Sequence, residues 1–355
     1  MVQFDKLLIF LQNYFTLILV LNRTHDPVRA NNNVMKELLQ NIDGLHIALT
    51  QGNMHLVNII LAFIMFGVAL GIRLNSFKDI LKNPKPAFVG IFMQWFALPA
   101  ITFLVTIILN PFITPMVAIG MILVASCPGG NISNFISSLS KGNVELSVSM
   151  TALTTLFAPI ITPFNFWFWG TLYGKYTAEH NHLPALEIPF SEMLFSIGII
   201  LGIPIILGII CARVFPRLSI RMRRPTTILS IVLFLVMVAA SFTQVIRAIE
   251  PDWHTYAGIL CVMLVVIIHN ASALATGYYG ARLMRLREAN VRTITIETGI
   301  QNSGLGLALL LNPNIFPAET WSSNGGMVLI TALWGVWHIV SGLLIARHFS
   351  RRPLA

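Results

Sequence analysis

The sequence predicts an all-α polytopic membrane protein with ten transmembrane helices, and three observations carry that prediction. Of its 355 residues 55% are apolar and only 10% are charged, with a mean hydropathy of +0.76, whereas soluble domains carry about 25% charged residues. The apolar residues gather in runs of roughly 20, the length at which a helix crosses the hydrocarbon core of a bilayer. The basic residues between those runs fall mainly on one side, as the positive-inside rule requires of a chain that crosses repeatedly.

In order, the hydrophobic spans cover residues 4–21, 54–73, 86–109, 115–139, 143–170, 190–214, 225–247, 254–281, 290–312 and 323–348. Gln12 and Asn13 interrupt the first, and its Met-Val-Gln-Phe-Asp-Lys start has something of a signal peptide. No small-residue cleavage site follows, so it is read as a span. Sorting Lys and Arg onto alternate sides gives 18 against 5 and puts both termini in the cytoplasm. The one long connection, 22–53, mixes charges of both signs and is rich in Asn. It reads as an extracytoplasmic loop holding an exposed amphipathic segment with no chemistry of its own. No soluble domain of useful size interrupts the chain, so residues 1–355 read as one membrane domain.

On a soluble protein the net charge of +9 would suggest a nucleic-acid partner. Here the distribution of charge matters more than its sum, and no nucleic-acid role is expected. The three cysteines, Cys127, Cys211 and Cys261, lie far apart without CxxC spacing or neighbouring histidines. They argue for neither a disulfide framework nor a zinc site and read as small apolar thiols within helices.

Two spans are poor helices. The fourth carries Cys127-Pro-Gly-Gly-Asn-Ile-Ser-Asn at its middle; Pro removes a backbone donor and the glycines favour non-helical angles. In hydrocarbon each unpaired backbone group costs several kcal/mol, so a break at that depth survives only where it is buried or lines a wet cavity. The bland alternative is a simple proline kink. The ninth span carries Glu297, Gln301, Asn302 and Ser303 within an apolar run. Glu297 is the one carboxylate placed at membrane depth, where an ionisable group costs about 2.5–3.5 kcal/mol and so marks a functional site. Its alternative is a protonated Glu bonded to a neighbouring helix.

The disrupted spans are the fourth of the first five and the fourth of the second five. Five is odd, so the second set inserts upside down, giving inverted five-helix repeats at 1–170 and 190–348. Disrupted helices at matching places in two such repeats point to a midplane binding site of a secondary transporter. A single Glu297 among amides and hydroxyls suits a monovalent cation, since divalent sites recruit several carboxylates. Ser147 and Thr151 share one helical face, Ser133 and Asn134 flank the first break, Gln301 follows Glu297 by four residues, and Gln94 interrupts the third span. Taken singly, Ser147, Thr151 and Gln94 also fit ordinary helix packing.

At these residues the chain resembles the bile acid:sodium symporter family. The resemblance runs from about Phe63 to the end and rests on the motif at Cys127, on Lys141-Gly-Asn-Val-Glu-Leu-Ser-Val-Ser-Met-Thr with Pro159-Ile-Ile-Thr-Pro, on Glu297-Thr-Gly-Ile-Gln-Asn-Ser-Gly-Leu, and on Val336-Trp-His. The first 50 residues match only loosely. It implies two inverted five-helix repeats divided into panel and core domains, with helices four and nine broken and crossing. It implies two sodium ions, the first held by Ser133, Asn134, Ser147, Thr151 and Glu297. The second would be held by Gln94, Glu297 and Gln301 with the backbone carbonyls of Thr298 and Ile300. Asn131, Asn302 and His338 are the implied substrate contacts. Two departures fall near that cavity: the family's bacterial pattern has Thr at Asn131, and Trp-His-Asn where this chain has Trp337-His338-Ile339.

The expected function is sodium-coupled symport of an amphipathic organic anion, whether bile acid-like, a steroid conjugate or a small carboxylate, by alternating access. A bacterial inner membrane is the expected location; no organic cofactor and no oligomer is implied. A proton-coupled or uncoupled carrier, in which Glu297 titrates, is the alternative within transport. A membrane sensor of the same anion is the alternative outside it. An intramembrane enzyme is disfavoured, because the chain has no HExxH, no pair of membrane aspartates and no Gly-x-Ser-Gly.

Overall fold

The structure is a computed structural model; it describes residues 27–44, 51–71, 84–130, 132–181, 188, 190–222, 253–312, 315–316, 321 and 323–353, with scattered positions between 225 and 243. The expected first span at 4–21 lies outside the described residues, as does most of the seventh at 225–247. Among the described residues the chain is helical and has no strands. The elements are α1 (Pro27–Asp43), α2 (Gln51–Leu70), α3 (Pro84–Leu109), α4 (Pro115–Ser126), α5 (Ile132–Leu139), α6 (Val144–Asn181), α7 (Phe190–Val214), α8 (Trp253–Leu283), α9 (Glu288–Gly299), α10 (Ser303–Leu310) and α11 (Gly325–Ser350). Five of them, α3, α6, α7, α8 and α11, are long and apolar enough to cross a membrane.

The spans expected at 115–139 and 290–312 are both interrupted. The fourth ends as helix at Ser126 and resumes at Ile132; the ninth ends at Gly299 and resumes at Ser303. A kinked but continuous helix is therefore excluded in both. Cys127, expected within a helix, instead closes α4 in extended conformation (φ −73°, ψ 155°), the conformation that a following proline favours. Within these interrupted spans α4, α9 and α10 are the most enclosed helices described. Every residue of α10 is buried, as is every one of 117–126 and 290–299. In contrast, α3 presents Phe88, Phe92, Phe96, Leu104 and Ile108 outward, and α7 presents Phe195, Ile199, Ile206 and Ile210.

Helix α3 has a local reason for placing Gln94 inward. It widens to a π turn over Met93–Ala97 just before Pro99. A proline has no N–H to give the carbonyl four residues earlier, and that carbonyl, Trp95 O, accepts from Asn165 Nδ2 of α6 at 2.9 Å. The turn leaves Gln94 1% exposed.

One finding differs from the expectations above, and a second adds to them. The 22–53 segment contains a helix, α1, whose apolar face is covered rather than exposed. Leu38, Leu39 and Ile42 are buried against α8, where a Cβ on Gly258 would lie 2.9 Å from Leu38 O. Arg292, one of the 18 basic residues that the charge sorting assigns to the cytoplasmic side, is fully buried in α9. It donates to Glu288 at 3.2 Å, to the carbonyl of Ser140 at 3.1 Å and to those of Arg352 and Pro353 at 3.1 and 3.0 Å. Carbonyls beyond a helix C-terminus have no partner of their own, and one guanidinium supplies several donors at once.

Helices α8 and α9 lie against each other at Gly277, where a Cβ would fall 2.7 Å from Ile294 O and 2.9 Å from Thr295 Cα. Backbone cannot yield as a flexible side chain can. Gly277→Leu is expected to cost about 2–3 kcal/mol, read as a fall of several degrees in the unfolding midpoint in detergent.

Asp43, at the end of α1 and outside every candidate span, has Oδ1 buried with no partner among the described residues. Burial pushes its carboxyl from 3.8 up to about 7, against a smaller opposite pull from the Thr114 hydroxyl. Between these values the folded protein holds a proton that the unfolded chain has released, so stability falls as pH rises from about 4 to about 7 and then levels off. Asp43→Asn removes that loss, and unfolding midpoints should rise by about 2–4 °C at pH 8 with little change near pH 4.

Candidate functional site

The two helix breaks meet each other. Gly129 and Gln301 form an isolated antiparallel bridge, Gly130 N–H donates to Ile300 O at 2.9 Å, and Asn302 N–H donates to Pro128 O at 2.8 Å. Each break supplies the partners that the other lacks, which satisfies backbone groups that lipid cannot. Glycine permits a close approach here. A Cβ on Gly129 would lie 2.9 Å from Gln94 Nε2 and 3.1 Å from Glu297 Oε2.

Beside this junction Glu297 is fully buried. Its Oε1 accepts from Ser133 Oγ of α5 at 2.6 Å and from Ser147 Oγ of α6, and its Oε2 accepts from Thr151 Oγ1 at 3.1 Å. Asn134 Oδ1 completes the group, 2.9 Å from Ser147 Oγ and 3.4 Å from Thr151 Oγ1. A hydroxyl has one proton to give. Ser147 is within reach of two acceptors and Thr151 of three, counting Ser147 O at 3.1 Å. The cluster therefore holds more close oxygen pairs than hydroxyl protons to bridge them, and oxygens in that state favour a small hard cation.

On the other side of Gly129, Gln94 Nε2 donates to Gln301 Oε1 at 3.3 Å, and Gln301 Nε2 donates to Thr298 O at 2.8 Å. Gln94 Oε1 is buried without a partner among the described residues, as is Thr298 Oγ1. The structure thus gathers Gln94, Ser133, Asn134, Ser147, Thr151, Glu297, Thr298, Ile300 and Gln301 around one junction.

The three expected substrate contacts fare differently. Asn131 lies outside the described residues. Asn302 sits in the second break, where its side-chain oxygen accepts from Leu305 N–H at 3.1 Å and caps α10. His338 is buried in α11, and its Nδ1 has no partner among the described residues. Sequence reasoning missed His269 and Asn270, although two adjacent polar residues interrupt the eighth span as plainly as Gln94 interrupts the third. His269 Nε2 is 2.9 Å from Thr102 Oγ1 and its ring packs on Trp334 with centroids 4.5 Å apart. Asn270 Nδ2 donates to Gly299 O, the end of α9, at 2.8 Å.

Comparison with known proteins follows the same lines. The model of the Sodium Bile acid symporter family matches residues 58–250, more than half of the chain. An uncharacterized sodium-dependent transporter of Bacillus subtilis is 29% identical over 83% of this chain and 83% of its own length. A sodium-dependent organic anion transporter of Bos taurus is 25% identical over 84% of this chain and 75% of its own. A protein of Oryza sativa subsp. japonica, named as a probable chloroplastic sodium/metabolite cotransporter, is 29% identical over 70% of this chain, which spans only 55% of its length. Paired breaks around a buried carboxylate and a family match that crosses the first of them lead to one conclusion: the chain belongs to the sodium bile acid symporter family of sodium-dependent transporters.

Proposed function

We propose that this protein is a sodium-coupled symporter that imports an amphipathic organic anion by alternating access. The observation that carries the reading is the Glu297 cluster. Oxygens from α5, α6 and α9 converge there with too few protons to hold them together. One sodium ion takes Ser133, Asn134, Ser147, Thr151 and Glu297; a second takes Gln94, Gln301, Glu297 and the carbonyls of Thr298 and Ile300. Both sit at the junction where α9 ends and α5 and α10 begin, beside the single carboxylate of Glu297.

The anion follows from the same geometry. Helices α5 and α10 begin at the junction, and helix amino ends favour negative charge. With sodium in place the carboxylate of Glu297 no longer repels an anion there, so binding of the ions and of the substrate favours the same arrangement. That differential affinity is the physical content of coupling. Asn131, Asn302 and His338 are the proposed substrate contacts. Ile339 removes a side-chain amide from that cavity and shifts the choice of anion. The ten spans form inverted repeats in panel and core domains, with both termini cytoplasmic in a bacterial inner membrane.

Thermal unfolding in detergent tests the ion sites. Sodium at about 100 times its dissociation constant adds about 2.7 kcal/mol to the folded state. The midpoint should rise in sodium chloride against potassium chloride at equal ionic strength, and Glu297→Ala should lose that rise together with uptake into vesicles. Uptake by wild-type protein that follows pH and ignores sodium would select proton coupling instead.

A panel of bile acids, steroid sulfates and small carboxylates tests the substrate class. At least one anion should raise the midpoint in sodium and leave it unmoved in potassium. Stabilisation by an anion that never enters sodium-loaded vesicles would mark a sensor.

A further inference from the structure

We propose that Asn270 is a positioning residue for the second sodium site, an inference that rests on the reading above. The last carbonyls of a helix lack partners within it, and three at the end of α9 are held from outside. Thr298 O accepts from Gln301 Nε2 at 2.8 Å, Gly299 O from Asn270 Nδ2 at 2.8 Å, and Ile300 O from Gly130 N–H at 2.9 Å. The outer two are the proposed backbone ligands. The middle one is held by a side chain from another helix.

That peptide is the one most in need of restraint. Gly299 is a glycine because α8 approaches so closely that a Cβ would lie 2.7 Å from Leu274 Cγ. Glycine is also the residue freest to turn its peptide planes. Ile300 is already extended (φ −121°, ψ 97°), so rotation about Gly299 swings the carbonyls on either side of it. Asn270 fixes the plane between them.

Asn270 is itself held. It is 1% exposed, and its Oδ1 accepts from Ser341 Oγ of α11 at 2.5 Å. Ser341 Oγ also lies 3.2 Å from His338 O, one turn earlier in the same helix. The chain of bonds runs from α11 through α8 to the carbonyl between the two proposed ligands. Outer-shell partners of this kind set ion affinity by fixing the orientation of the groups that touch the ion.

The test is a sodium titration of thermal unfolding on the full chain in detergent, with choline chloride holding ionic strength. It compares wild type with Asn270→Ala, Asn270→Asp and Ser341→Ala. Asn270→Asp keeps the shape and loses the donor. Both Asn270 variants should raise the half-saturating sodium concentration about 10-fold or more, and Ser341→Ala should raise it in the same direction by less. If Asn270→Ala does not fold, the isosteric variant and Ser341→Ala decide. Midpoints lowered equally with and without sodium, at an unchanged half-saturating concentration, would reduce Asn270 to packing and overturn the proposal. An Asn270→Asp variant with wild-type sodium response would do the same. Wild-type protein that gains nothing from sodium would instead remove the sodium reading on which the proposal stands.

Discussion

A broken helix within a membrane must find partners for its freed backbone groups, and in this protein two broken helices find them in each other. The bonds from Gly130 N–H to Ile300 O and from Asn302 N–H to Pro128 O make one unit of two interruptions. Everything at the site follows from that pairing. It brings the amino ends of α5 and α10 together, holds Glu297 among hydroxyls of α5 and α6, and sets Gly129 close against Gln94 and the carboxylate.

The junction is satisfied in backbone but not in charge. Ser133, Ser147 and Thr151 have three hydroxyl protons between them, and their neighbours are a carboxylate and an amide oxygen. Its oxygens come from α5, α6 and α9, which meet at Glu297. In the sodium-coupled reading proposed above, a cation bound there would tie these helices together, and an ion gradient would act on conformation through it.

The proposed second site depends on residues at two removes. Thr298 and Ile300 contribute only carbonyls, so side-chain chemistry cannot tune them directly. Asn270 of α8, held by Ser341 of α11, bonds the Gly299 carbonyl that lies between them. Arg292 does related work at the far end of α9, gathering carbonyls from the end of α5 and from the chain beyond α11. Both devices let one buried polar side chain replace the partners that helix ends lack.

Much of this was legible in residue order alone. Pro128 and two glycines announce a break because proline lacks a donor, and Glu297 announces a site because a carboxylate is expensive in hydrocarbon. Ser147 and Thr151 announce a shared face because helical spacing is fixed. Other features had no local signature. The bond between Asn270 and Ser341 spans 71 residues, the burial of α1 depends on a gap at Gly258, and Arg292 reads as an ordinary end-of-span cation until the tail beyond α11 closes over it. The sequence by itself determined that the chain is built of long apolar helices, that the fourth and ninth of its apolar stretches break, and that Glu297 lies among apolar residues, since these follow from each segment's own hydropathy and backbone chemistry. Only the tertiary structure decided which breaks pair and which oxygens share protons, because those are distances between segments that no local property of the chain encodes.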